Sequence, residues 1–130
     1  MATIRAYTTI EQSSKLAEIL QIESADMYYF RQIDSDYFPP DVESICPIPL
    51  FKDGKEDFNY DIPCWSLAAL LGVLPILNDR SPVLSKTFDR KYRVVYHSTA
   101  YEMAIITSDY NNPVDACVAM IERLHEQKLL

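Results

Sequence analysis

The sequence predicts an α+β fold, an antiparallel sheet with helices packed on it, in a single compact domain over residues 1–130. Three observations carry this expectation. Asn112-Pro113-Val114-Asp115 opens a helix with unusual clarity. Tyr92–Tyr96 and Tyr101–Ile106 alternate in the manner of two strands. The elements run helix, strand, irregular segment, helix, hairpin, helix, an order that suits a sheet covered by helices.

The first helix starts at Thr8 or Thr9. Thr8 with Glu11 and Thr9 with Gln12 both have capping-box spacing. Ile10, Leu16, Ala17 and Leu20 form its inward face, while Glu11, Lys15 and Glu18 point outward, with Glu11 and Lys15 in the favourable order for a pair four residues apart. Met27-Tyr28-Tyr29-Phe30-Arg31-Gln32-Ile33 is rich in aromatics and reads as a strand. Asp34 to Asp61 is the irregular segment. It holds Pro39, Pro40, Pro47, Pro49 and an Asp53-Gly54 turn signal, so any strand there, such as Ile48–Phe51, belongs at a sheet edge.

A second helix is expected from near Pro63 to Leu74, stopped by Pro75. It has no charged residue, which places it in the centre of the core or under another chain. The link His97–Ala100 is short enough to join the two alternating segments as an antiparallel hairpin. The last helix has Asn112 as N-cap, Pro113 at its first position and Asp115 in its first turn. Its apolar stripe is Val114, Cys117, Val118, Ile121 and Leu124. The expected core joins Trp65, Leu67, Leu71 and Leu74 to Val118, Ile121 and Leu124.

A hydrophobic fraction of 48% with 12% aromatics excludes a disordered chain. No apolar run approaches the ~18 residues of a membrane span, and Met1–Tyr7 lacks an apolar signal core, so cytoplasmic residence and no membrane partner are expected. Cys46, Cys64 and Cys117 are an odd, widely spaced set, which speaks against a disulfide framework or a metal knuckle. Cys117 lies on the apolar stripe and is expected to be a buried structural thiol.

The net charge of −7 lies entirely in residues 1–62, where five Lys/Arg face twelve Asp/Glu; residues 63–130 hold seven of each. Nucleic acid is therefore an unfavourable partner for the first half. Lys86, Arg90, Lys91 and Arg93 form a basic cluster in the second half, read as a solvated strand edge, with an anion site as the sharper alternative.

This order of elements, with Ile62-Pro63-Cys64-Trp65-Ser66-Leu67-Ala68-Ala69-Leu70-Leu71 in the middle and Asn112-Pro113-Val114-Asp115-Ala116-Cys117 near the end, resembles small uncharacterised proteins of phages, prophages and mobile elements of gut anaerobes. More loosely, it is similar to the phage ABA-sandwich domain family. The resemblance covers most of the chain outside Asp34 to Asp61. It implies an architecture and a genomic context, and carries no active site.

Chemistry is sparse. Gly54 and Gly72 are the only glycines, which removes a nucleophile elbow, a phosphate loop and a dinucleotide fingerprint together. His97 and His125 suit a turn and a helix C-terminus, and no catalytic residue, metal ligand or cofactor is assigned. Asp34, Asp36, Asp41 and Glu43 lack the glycine and closing Glu of a calcium loop. The tyrosines offer rigid amphipathic faces, and Tyr28, Tyr29, Tyr37 and Tyr60 with Trp65 are the candidate binding residues. The expectation is a small acidic, non-catalytic interaction protein of a phage or mobile element that binds a host or phage protein and self-associates as a homodimer. The alternative is a binder of a nucleotide-like ligand in a Tyr/Trp-lined pocket.

Overall fold

The computed structural model describes residues 5–32, 44–45, 48–52 and 62–130. Helix α1 spans Ile10–Leu16 and starts at the Thr9 option. The Thr9 hydroxyl accepts from the Gln12 N–H at 3.1 Å, and the Gln12 side chain accepts from the Thr9 N–H at 3.0 Å. The capping box is thus complete and satisfies two otherwise orphaned donors. Thr8 is left free for the interior, where it is fully buried and shares a 2.8 Å hydrogen bond with Ser13.

The aromatic segment does not form one continuous strand. It splits into β1, Met27–Tyr29, and β2, Arg31–Gln32, which pair in different sheets with exposed Phe30 between them. β2 pairs with β3, Ser44–Ile45. β1 is the middle strand of a three-stranded antiparallel sheet, between β4, Leu50–Phe51, and β5, Ile62–Cys64. Leu50 and Phe51 therefore lie at a sheet edge, as the flanking prolines require.

β5 corrects the expected start of the second helix. Pro63 pairs in register with Tyr28 on an outer strand of this sheet, where its missing N–H removes no ladder bond on the far side. The helix, α2, covers only Leu67–Val73. Ser66 is its N-cap, with the hydroxyl accepting from the Ala69 N–H at 3.2 Å. Leu74 is extended at ψ 123°, the conformation that Pro75 imposes on the residue before it. Within α2 only Leu70 is fully buried; Ala68 and Gly72 face solvent, so the uncharged helix is a covering element and not a central one.

A strand without a clear pattern of its own, β6, spans Val83–Lys86 and pairs antiparallel with β7, Tyr92–Tyr96. β7 is also the middle strand of its sheet, with β8, Ile105–Ile106, on its other side. The β7–β8 pairing is antiparallel as expected, but its link runs from 97 to 104, longer than His97–Ala100. Tyr101–Ala104 forms no ladder because Arg80 takes the backbone there: Arg80 Nη1 donates to His97 O at 3.1 Å and to Met103 O at 2.9 Å.

Helix α3, Pro113–Glu126, has the predicted cap, with the Asn112 side chain accepting from the Val114 N–H at 2.8 Å. It buries the predicted stripe together with Ala116 and Met120. This helix is the centre of the core. Trp65, Leu70, Leu74, Val94, Tyr96 and Leu16 pack with it, and Leu67 and Leu71 cover the cluster from its rim. Met27, Tyr29, Ile62 and Cys64 make a smaller core under Tyr7 and Ile10. The two antiparallel three-stranded sheets and the three helices, among the described residues, form one α+β domain. Among the described residues, no helix is long and apolar enough to cross a membrane.

Candidate functional site: an apolar groove beside helix α2

The stretch before α1 runs alongside the start of α2. Tyr7 and Ser66 form an antiparallel bridge, with Thr8 N donating to Trp65 O and Leu67 N to Ala6 O, both at 3.0 Å. Asp26 locks the same corner from the other side. Its Oδ1 accepts from the Ser66 N–H at 2.9 Å, and its Oδ2 accepts from the Ser66 hydroxyl. Lys52 N donates to Asp26 O at 3.0 Å and so holds the end of β4 in place.

Between these segments lies an open groove of about 470 Å³. Ala6, Tyr7, Met27, Phe51, Leu67 and Ala68 line it, and the Asp26–Ser66 pair is its polar element. Phe51 is 68% exposed on the rim. Apolar walls with few fixed polar groups are the usual construction of a docking pocket. Ser66 is committed to Asp26 and to the helix cap, which is a structural use of both groups.

The predicted binding residues separate. Trp65 is fully buried, with Nε1 donating to Ser24 Oγ at 2.9 Å. Tyr29 is buried as well, its hydroxyl donating to Thr8 O at 2.6 Å and its ring edge-on to Tyr7 at 6.5 Å. Burial, with the neighbouring Cys64 and Tyr7, pushes the Tyr29 phenol above its ordinary range. Tyr28 is half-buried on β1. Tyr37 and Tyr60 lie outside the described residues, as do Cys46 and the Asp34, Asp36, Asp41 and Glu43 cluster. The groove thus adjoins the predicted aromatics but presents Tyr7 and Phe51 in their place. Tyr7 had no sequence signal, whereas the edge-strand reading of Ile48–Phe51 did point toward Phe51.

Two other places hold charged groups. In a cleft between α1 and α3, Arg5 meets Asp115 at 2.5 Å, Gln12 Nε2 donates to the same carboxylate at 2.7 Å, and Arg5 Nε donates to Tyr7 O at 2.8 Å. These groups satisfy one another and clamp the start of the chain to the last helix. The basic cluster surrounds the β6–β7 turn. Thr87 N donates to Lys91 O at 2.6 Å, Arg90 N to Thr87 O at 3.1 Å and Lys91 N to Thr87 Oγ1 at 3.0 Å. The Thr87 hydroxyl also bonds Asp89 at 2.5 Å, which holds that carboxyl below its usual range. Arg90 has a left-handed backbone, φ 64°, and Phe88 stands fully exposed at the apex.

His97 and His125 are exposed, and among the described residues no group of three His, Cys, Asp or Glu is placed to hold a metal ion. Cys64 and Cys117 are free and buried; burial pushes the Cys117 thiol up to about 12. Comparison with protein-family models, curated proteins and solved structures returns no match.

Proposed function

We propose that this chain is a small, non-catalytic protein-binding protein of a phage or mobile element, and that the groove beside α2 receives an apolar side chain of its partner. The observation that carries the reading is the groove itself: an apolar cleft with a rigid, hydrogen-bonded corner at Asp26 and Ser66 and a largely exposed aromatic, Phe51, at its rim. Exposed aromatics beside a preformed apolar cleft are the raw material of interface anchors. The phage context rests on the resemblance of the Ile62–Leu71 and Asn112–Cys117 segments. The nucleotide-like alternative draws less support, since the rings of Tyr29 and Trp65 are used inside the core.

Selection of displayed peptides on the immobilised protein tests the groove. Enriched peptides are expected to share an aromatic or large aliphatic anchor and to lose binding when Ala68→Lys is introduced. Ala68 is exposed, so the variant blocks the groove without disturbing the core. Peptides that bind the variant as well as the original would overturn the assignment.

A further inference from the structure

We propose that the outer edge of β6 is a docking site for an extended, acidic peptide segment of a partner protein, which adds to the sheet as a further strand. The edge shares no residue with the groove beside α2, so the proposal goes beyond that reading and does not rest on it.

The hydrogen bonds of β7 define the edge. Tyr92 exchanges both backbone bonds with Tyr110, at 2.7 and 2.8 Å. Val94 turns the same way, its carbonyl accepting from Thr107 N at 3.1 Å and its N–H donating to Thr107 Oγ1 at 3.0 Å. Their partners across the ladder, Lys86 and Leu84, therefore occupy the non-hydrogen-bonded pairs of β6 with β7. The N–H and C=O groups of Leu84 and Lys86 point out of the sheet, and among the described residues no other group bonds them. Val83 and Lys86 are exposed, so this margin is open to solvent.

Backbone chemistry and charge together select the occupant. The outward groups alternate donor and acceptor at strand spacing, which another extended backbone satisfies in full. A polyphosphate would supply acceptors but nothing to the two carbonyls. Charge then decides which strand fits. Lys86, Arg90, Lys91 and Arg93 stand in the β6–β7 ribbon against Asp89 alone, and among the described residues none of the four is in an ion pair. Lys86 lies on one face of the edge, and Arg93, in register with Ser85, on the other; both are exposed. Ser85 is small enough for the guanidinium to reach over it. Acidic side chains on either face of an added strand would thus meet a cation. A second copy of β6 would bring four more cations to the same edge, which opposes self-pairing.

Titration of the full chain with the capped peptide Thr-Glu-Val-Glu-Val-Glu-Thr, followed by NMR and amide exchange, tests the proposal. The peptide is expected to bind and to protect the Leu84 and Lys86 amides. A peptide with Gln for each Glu, and one with every amide nitrogen methylated, should each bind about tenfold more weakly. Salt raised from about 0.05 to 0.5 M should weaken binding as well. Lys86→Gln removes the charge and keeps the N–H, whereas Lys86→Pro removes both without touching a ladder bond to β7. The proline variant should therefore bind about fivefold more weakly than the glutamine variant. Ala68→Lys should leave this binding unchanged, so the edge and the groove stand or fall separately. Absence of binding at millimolar peptide would make Lys86 a guard against edge pairing and overturn the proposal. Equal binding of the methylated peptide would reduce the edge to a simple anion site, and unprotected amides at Leu84 and Lys86 would place the peptide elsewhere; either result also overturns it.

Discussion

Replacing Arg80 with methionine separates two accounts of what shapes the 97–104 link. Arg80 is 8% exposed, yet its guanidinium bonds His97 O at 3.1 Å, Met103 O at 2.9 Å and the Glu102 carboxylate at 2.6 Å, with Leu77 O at 3.4 Å. Each hydrogen bond from a charged donor contributes about 1.5–3 kcal/mol, but water can reach the freed carbonyls of a surface link, so the two best bonds together are worth about 3 kcal/mol. The ion pair is a lesser matter: the Glu102 side chain is 35% exposed, and exposed pairs typically give about 0.5 kcal/mol. Arg80→Met should therefore cost about 3 kcal/mol, and Glu102→Gln about 0.5 kcal/mol. Glutamine can also keep the 2.6 Å bond from Asn78 Nδ2. Urea unfolding of both variants measures the difference, and amide exchange at Thr99, which donates to Glu102 O at 2.9 Å, reports on the link itself. Equal losses in the two variants would refute the reasoning and make the ion pair the principal support.

Three further outcomes are expected. Leu70→Ala should cost about 2–5 kcal/mol by urea unfolding, and Leu71→Ala distinctly less, since Leu70 is fully buried and Leu71 only covers the rim; the reverse order would contradict the placement of α2. Stability should fall as pH rises from about 9 towards 12. Burial raises both the Cys117 thiol and the Tyr96 phenol to about 12, well above their ordinary values, so the folded state holds protons that the unfolded chain releases. That contribution is fully present below the unfolded values, and Cys117→Ala should flatten part of the decline in unfolding midpoints. Arg90→Gly should raise thermal stability by about 1 kcal/mol through relief of the left-handed backbone, while removing one cation from the hairpin tip. A loss of stability on that change would show that the Arg90 side chain supports the turn.

Legibility followed how local the deciding interactions are. α3 was readable because cap, proline, first-turn acid and apolar stripe all state the same helix within Asn112–Leu124. The α1 cap was readable as two registers, and the 3.1 Å and 3.0 Å bonds between Thr9 and Gln12 select one. Ile62–Cys64 was misread because a proline before an uncharged run suits a helix start as well as an outer strand, and only pairing with Tyr28, distant in sequence, decides it. β6 has two adjacent apolar residues, Val83 and Leu84, and takes its conformation from β7. The candidate site suffered most. Residue type nominated Tyr29 and Trp65, but whether a ring faces a pocket or the core depends on Thr8 and Ser24, which receive their polar atoms from elsewhere in the chain. The groove gathers Tyr7, Met27, Phe51 and Ala68 from four separate segments, and no window of sequence contains it.

The central position of α3 bears on how the chain comes to be folded in time. Eight of its residues are buried, and they share one core cluster with residues of α1, α2 and β7. It is also the last element in chain order, and the Arg5–Asp115 clamp joins residues 110 positions apart. In a growing polypeptide the smaller core of Met27, Tyr29, Ile62 and Cys64 is complete in sequence before that helix, whereas Trp65, Leu70 and Val94 lack their covering element until it arrives. Completion of the main core thus waits until α3 has been made, and closing such distant contacts slows it further. A nascent chain stalled before Asn112 would leave Trp65, Leu70 and Val94 in water, a form that chaperones or proteases would recognise as unfinished.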